Sequence, residues 1–263
     1  MKFIKKSYVA LILLIMYAPV AILMVYSFND SKLPIWKGFT FKWYQEIFSD
    51  YSIQQAFYNT IFIAVVSSIV ATIIGTCAAI GIERMTGWKK KFVMNVTYIP
   101  LLSSEIVTGV SLMLLFSAIN LPLGITTLIL SHITFSVPYV ILSIMPKLKQ
   151  LNYNIYEAAL DLGATPWYAF KKVILPEILP GVLAGLFIAF TLSIDDFIIS
   201  FFNTGPGVDT LSIKVFSMTR KGIAPTINAI STIMFTTIII VLIATNVMAS
   251  KKQKKLNKTN KHI

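Results

Sequence analysis

Charge is scarce in this chain. Only 13% of its 263 residues are Asp, Glu, Lys or Arg, against about 25% in an average soluble protein. With 56% apolar residues and a mean hydropathy of +0.75, the sequence has too little polar surface for a cytosolic globular enzyme and is too hydrophobic for a disordered chain. Cysteine is nearly absent: Cys77 stands alone inside an apolar run, which excludes a disulfide scaffold. His132 and His262 are far apart, so no His/Cys cluster offers a metal site. No Gly-Lys dipeptide occurs, so there is no Walker A loop to cradle a nucleotide phosphate. No Ser-His-Asp or paired-acid constellation lies in a soluble segment. Acidic residues are few, 11 against 23 basic ones, for a net charge of +12. In a soluble domain that excess would point to nucleic acid, but no basic patch here is interleaved with aromatics.

What the sequence does have is long apolar runs. Six are long enough to cross about 30 Å of hydrocarbon, at roughly 8–28, 57–82, 92–118, 125–146, 181–202 and 226–248. They are continuous rather than alternating, which predicts an all-α integral membrane protein and not a β-barrel. The first run follows Lys2, Lys5 and Lys6. It is too long for a signal-peptide core and has no small-residue cleavage site after it, so it reads as a retained helix in which Pro19 can introduce a kink. Six spans put both termini on one side. Of the 23 Lys and Arg, 17 fall on that side and six on the other. The positive-inside rule then predicts cytoplasmic termini, with the basic tail 249–263 near anionic lipid. The whole chain, 1–263, reads as one transmembrane domain.

The segment 147–180 carries the most local information. Asn154 is placed to N-cap a short helix, Ile155–Leu162, with Glu157 three residues later as in a capping box. Gly163 suits the position just past that helix, because it tolerates positive φ. Thr165 and Pro166 restart the chain as N-cap and first helical residue. Pro176 and Pro180 are expected to end the second helix before the next span.

These residues resemble a family signature. Permease subunits of bacterial type I ABC importers carry a loop of the form E-A-A-x3-G-x9-I-x-L-P. Here Glu157-Ala158-Ala159 is followed by Gly163 and then by Val173-Ile174-Leu175-Pro176, with Val173 in place of the usual Ile. The resemblance implies a type I permease fold with a cytoplasmic coupling helix that docks on an ATPase subunit. Glu157, Ala158, Ala159, Gly163 and Pro176 would form that contact, with Tyr156 as an aromatic anchor. It further implies an ATP-binding subunit dimer, a homologous permease as heterodimer partner and an extracytoplasmic solute-binding protein, all at the bacterial cytoplasmic membrane. ATP and Mg would sit on the partner ATPase, and this chain would bind no cofactor.

Three carboxylates fall inside expected spans: Glu105, Asp195 and Asp196. An acid at bilayer depth costs about 2.5–3.5 kcal/mol on insertion scales, so it marks function or a specific partner. Ser193, Asp196, Ser200 and Asn203 fall on one helical face. Glu105 shares its own face with Tyr98, Thr108 and Gly109. The functional reading is an anionic path for a cationic substrate. The alternative is ion pairing with a basic residue of the outer segment, such as Lys214 or Arg220, or with the partner subunit. His132 reads as a hydrogen bonder between packed helices, and Gly181 with Gly185 as a close helix contact.

Within the family, the stretches SEIVTGVSLMLLF, TLSIDDFIISFF and TGPGVDTLSIKVFSMTR resemble the second permease of spermidine/putrescine importers. Carboxylates would meet the amines of such a substrate, and Phe190, Phe197, Phe201 or Tyr98 would cover its methylenes. Permeases for iron, thiamine or aminoethylphosphonate share much of this likeness. A stand-alone secondary transporter shares the topology and the buried acids, but it does not explain the loop signature.

Overall fold

The computed structural model describes residues 2–33, 35–220, 225–240 and 243. These residues are helical with short connections, apart from one isolated bridge between Asn29 and Phe39. The chain divides into two compact units.

One unit joins the N-terminal segment up to Phe57 with residues from Leu211 onward. Helix α1 (Lys2–Tyr26) runs through Pro19 without interruption. Its apolar window, Lys6–Tyr26, is exposed on all sides, as suits a helix solvated by lipid. After it, Asn29 organises a tight loop. Its amide donates to the Ile35 carbonyl at 2.9 Å and accepts from the Lys37 N–H at 2.9 Å, while its own carbonyl takes the Trp43 indole N–H at 2.8 Å. Phe28 stacks on Phe39 and Tyr44 beside this loop, and Phe41 meets Phe28 edge-on. Helix α2 (Lys42–Ser49) buries Trp43 and Ile47 against Ile53, Ala56, Leu211, Ala229 and Ile230.

The other unit spans Tyr58–Thr210. It holds most of α3 (Tyr51–Arg84), then α4 (Gly87–Leu102), α5 (Glu105–Ala118), α6 (Ile125–Lys149), α7 (Tyr153–Asp161) and α8 (Pro166–Ala169). Helix α8 runs through a π turn, Phe170–Ile174, into α9 (Leu175–Asp195), and α10 (Ile198–Asn203) follows after a break. Helices α11 (Leu211–Arg220) and α12 (Pro225–Ile240) belong to the first unit. Small residues set the packing around α6. A Cβ on Gly75 of α3 would lie 2.7 Å from a methyl of Val140, and one on Gly185 of α9 would lie 3.1 Å from the same methyl. A Cβ on Gly181 would meet the Ser143 carbonyl at 2.9 Å. The expected Gly181/Gly185 contact is therefore real, and Val140 is fully buried between two glycine-lined helices.

Several expectations about the spans need correction. Among the described residues, four helices are long and apolar enough to cross a membrane, or five if α4 and α5 count as one bent pair; α12 is apolar but shorter. The expected continuous span 92–118 is broken, because α4 and α5 meet at 106°. Ser103 and Ser104 adopt extended backbone there, and the Ser103 hydroxyl donates to the Ile99 carbonyl at 2.8 Å, so a side chain competes with the helical ladder. The span 181–202 is also interrupted, at Asp196 and Phe197. Conversely, Pro176 and Pro180 end nothing: one helical run extends from Pro166 to Asp195. The Leu175 N–H reaches back to the Phe170 carbonyl across the π turn, and Pro176 then falls in the first turn of α9, where its missing N–H is tolerated. The end of the expected span 226–248 and the basic tail 249–263 lie outside the described residues.

The Gly75–Val140 contact yields a test. Gly75→Ala should destabilise the purified protein by about 1–3 kcal/mol, the usual cost of overpacking. Val140→Gly in the same chain, which removes both the methyl and the Val140 Cβ at 2.8 Å, should make the Gly75→Ala substitution less costly. Thermal unfolding of the single and double variants measures both, and an additive double variant would show that the two side chains do not meet.

Candidate functional site

Two regions of the Tyr58–Thr210 unit hold the residues singled out by the sequence. The first is the connection around α7. Asn152, not Asn154, caps this helix: its side-chain carbonyl accepts the Asn154 N–H at 3.1 Å. The helix therefore starts two residues earlier than expected, and Glu157 is no longer at the position where a capping box would use it. Its side chain is exposed. At the other end the Gly163 N–H donates to the Leu160 carbonyl at 2.9 Å and the Ala164 N–H to the Ala159 carbonyl at 3.1 Å, a Schellman closure with Gly163 at φ +85°. Thr165 caps α8 by accepting the Tyr168 N–H at 3.3 Å, with Pro166 first in the helix, as expected.

The faces of α7 differ from the sequence reading in one respect. Tyr156 points inward and packs against the cluster formed by Ala79, Ile82, Val140, Ile144, Leu148 and Ile174. Its side chain is half-buried there. Tyr156 is two positions from the exposed Ala158, so it lies on a different helical face, and here that face meets the bundle. Outward-facing instead are Ile155, Leu162 at 89% exposure and Trp167 at 71%, together with Ala158 and Pro176, while Ala159 is half-buried. Leu162 and Trp167 are exposed apolar residues that the sequence reading did not single out. Their signal was available in the sequence, as large apolar residues in a segment too polar to cross the membrane. Tyr153, on the inner side, has its phenol pushed above the ordinary value by burial, with the Glu83 carboxylate adding to the effect. Glu83 in turn pairs with Lys90 at 2.9 Å.

The second region is the break between α9 and α10. Asp196 lies in it and its side chain is only 3% exposed. One carboxylate oxygen accepts the Ile199 N–H at 3.2 Å and the other the Ser200 N–H at 2.7 Å, so Asp196 serves as the cap of α10. The polar stripe survives the break. Ser193, Asp196, Ser200 and Asn203 are all buried; the first three approach His132 of α6, while the Asn203 amide meets α5. His132 Nδ1 lies 2.6 Å from the Ser193 hydroxyl and Nε2 lies 3.0 Å from that of Ser200, with an Asp196 oxygen 3.6 Å from Nε2. Ser67 of α3 extends the chain to Ser193 at 3.2 Å. His132 thus joins packed helices by hydrogen bonds, as its place in an apolar run suggested.

Asp195 is different from its neighbour. It ends α9, is exposed, and lies within Coulombic reach of Glu105. Glu105 opens α5, where the helix dipole favours an anion, and it is exposed as well. It is also within electrostatic reach of the Tyr139 hydroxyl. Tyr98 belongs to α4 beyond the 106° bend, so it does not share a helical face with Glu105 as expected. Neither Asp195 nor Glu105 forms an ion pair among the described residues. Lys214 instead donates to Ser52 at 2.5 Å, and Arg220 sits over the Phe216 ring at 4.8 Å. The arrangement is two exposed carboxylates at two helix ends, within Coulombic reach of each other, with the Phe197 and Phe201 rings 5.5 Å apart beside the break. It can hold positive charge.

Residues 71–255 match the family described as binding-protein-dependent transport system inner membrane component. The chain belongs to that family. The spermidine/putrescine transport system permease protein PotC of Escherichia coli (strain K12) is 38% identical over 240 residues, 91% of each chain. The putrescine transport system permease protein PotI of the same strain is 38% identical over 251 residues, covering 92% of this chain and 89% of that one. In fold, the chain matches a solved bacterial ABC transporter involved in import of the acidic polysaccharide alginate, with a TM-score of 0.70 at 16% identity over 95% of this chain and 98% of that one. The fold is that of a type I importer permease, and the all-helical architecture expected from the sequence holds.

The different settings of Asp195 and Asp196 predict different consequences. Asp196→Asn replaces one acceptor oxygen by an amide NH2 that faces a buried N–H. It should cost about 1–3 kcal/mol, the range for an unsatisfied buried group. Asp195→Asn should leave stability unchanged. Melting temperatures of the two purified variants distinguish them.

Proposed function

We propose that this chain is the permease subunit of an ATP-driven importer and forms half of the path for spermidine- or putrescine-like polyamines. The observation that carries the reading is the 38% identity, over nine-tenths of both chains, to permeases of spermidine/putrescine systems. The exposed Asp195 and Glu105 carboxylates supply the chemistry it needs: a flexible polycation exchanges its water shell for fixed negative groups, and Phe197 and Phe201 offer apolar surface to its methylenes. Asp196 adds negative charge behind them while capping α10.

The same reading gives the chain six spans as one permease domain in the bacterial cytoplasmic membrane, with both termini in the cytoplasm. Seventeen of the 23 basic residues on one side support that orientation. ATP hydrolysis, with its Mg, belongs to a dimer of partner subunits, since this sequence has no Walker A loop. Those subunits receive α7. Glu157, Ala158, Gly163 and Pro176 provide a low, exposed surface, and Leu162 and Trp167 provide the apolar anchors. The contact with Tyr156 inside the bundle would carry the movement of α7 to α3 and α6. A second permease completes the path, and an external binding protein delivers the solute.

Three outcomes follow. In liposomes, the chain should take up labelled putrescine or spermidine only with its ATPase and permease partners, and uptake by the chain alone would refute the subunit reading. Asp195→Asn and Glu105→Gln should each raise the half-saturating polyamine concentration roughly tenfold, the scale of one charge-assisted contact, at normal complex yield. Leu162→Asp should leave the permease in the membrane and abolish substrate-stimulated ATP hydrolysis, because a carboxylate would enter an apolar contact unpaired.

A further inference from the structure

The α9–α10 break is a weak point held by a side chain from elsewhere. Helix α9 ends at Asp195 and α10 starts at Ile198, so only Asp196 and Phe197 join them. Two such residues have soft dihedrals and do not fix an angle between helices. Yet the angle has consequences. Helix α5, which carries Glu105, is tied to α10: the Asn203 amide donates to the Gly109 carbonyl at 3.1 Å, and a Cβ on Gly109 would meet Phe202 at 3.3 Å and the Ile199 Cα at 3.4 Å. Glu105 therefore moves with α10, while Asp195 moves with α9. The separation of the two exposed carboxylates is set by how α9 and α10 meet.

His132 is the group that spans this joint. It sits on α6, its side chain is 1% exposed, and it reaches Ser193 in the last turn of α9 with one ring nitrogen and Ser200 in α10 with the other. One ring nitrogen donates and the other accepts, and the Asp196 oxygen 3.6 Å from Nε2 favours the proton on that side. Helix α6 is itself fixed to α10 at a second point, where the Thr127 hydroxyl donates to the Asn203 carbonyl at 2.8 Å. Changing the α9–α10 angle would strip both ring nitrogens of partners in a region without water to replace them.

We propose that His132 is a positioning residue: it clamps α9 to α10 across their break and thereby fixes the distance between Asp195 and Glu105. The link to transport rests on the reading of these two acids as path residues, whereas the clamp itself does not. The phenyl ring of His132→Phe keeps most of the volume and loses both hydrogen bonds. His132→Gln keeps one polar reach. Ser193→Ala and Ser200→Ala each remove one bond and leave the ring in place.

The clamp is tested on the assembled complex in nanodiscs, with Cys77→Ser removing the exposed native thiol and spin labels on Glu105→Cys and Asp195→Cys. Dipolar broadening should report one short, narrow separation with His132 present. The separation should lengthen or spread in His132→Phe and in Ser200→Ala, and recover in part in His132→Gln. In the unlabelled complex, His132→Phe should raise the half-saturating putrescine concentration roughly tenfold, and that rise should exceed any change in maximal rate per complex. If His132→Phe fails to assemble, the two serine variants carry the same criterion. An unchanged separation in the variants that assemble overturns the clamp. A changed separation with unchanged half-saturation upholds the clamp and removes the two acids from the path.

Discussion

A polar group in hydrocarbon must find its partner inside the protein, because lipid offers none. This constraint governs the Tyr58–Thr210 unit, since the chain interrupts its helices within or at the end of segments apolar enough to span a membrane. At the α9–α10 break the carboxylate of Asp196 takes the freed N–H groups of Ile199 and Ser200. His132, Ser193, Ser200 and Ser67 complete a connected set of hydroxyls and ring nitrogens drawn from four helices. At the α4–α5 bend two serines end one helix and begin the next. Each break turns a helix end toward the surface, and each exposed end carries an acid: Asp195 on one and Glu105 on the other. A straight helix would have kept both carboxylates on its flank; the breaks put them at termini.

Packing supplies the rigidity behind this arrangement. Helix α6 lies between α3 and α9, and glycines on both neighbours let it approach until Val140 touches each of them. In lipid, where no hydrophobic force draws apolar helices together, close van der Waals contact is the main attraction, and small residues allow it. Because α6 also carries Thr127 and His132, the same contact that holds the bundle positions the groups that close the α9–α10 break. Stability and site geometry therefore depend on one helix.

The α7 connection works by having two unlike faces. Its inner face places Tyr156 among residues of α3, α6 and the π turn. Its outer face shows Ile155, Leu162 and, just beyond, Trp167. A helix of nine residues has little stability of its own, so the Asn152 cap and the Gly163 closure matter for holding it in register. The π turn that follows lets the run continue through Pro176 into α9 without a hinge, so a displacement of α8 reaches α9 through continuous helix.

Much of this was legible in the residues. Low charge and long apolar runs pointed to a helical membrane protein, and the segment holding Glu157, Ala158, Ala159, Gly163 and Pro176 resembled a family signature. Gly163 at positive φ, Thr165 with Pro166, and the Gly181/Gly185 contact follow from steric rules that act over a few residues. Asn152 and Asn154 are equally good capping residues, so local chemistry did not choose between them, and the structure caps the helix with Asn152. Tertiary structure alone decided where the spans break, which way Tyr156 turns, and that Asp196 is buried while Asp195 next to it is exposed. The reason is physical. Periodicity reports which residues share a face of an unbroken helix, whereas a break changes the faces on either side of it. Whether the break is tolerated depends on His132, more than 60 positions away in the chain from Ser193 and Ser200.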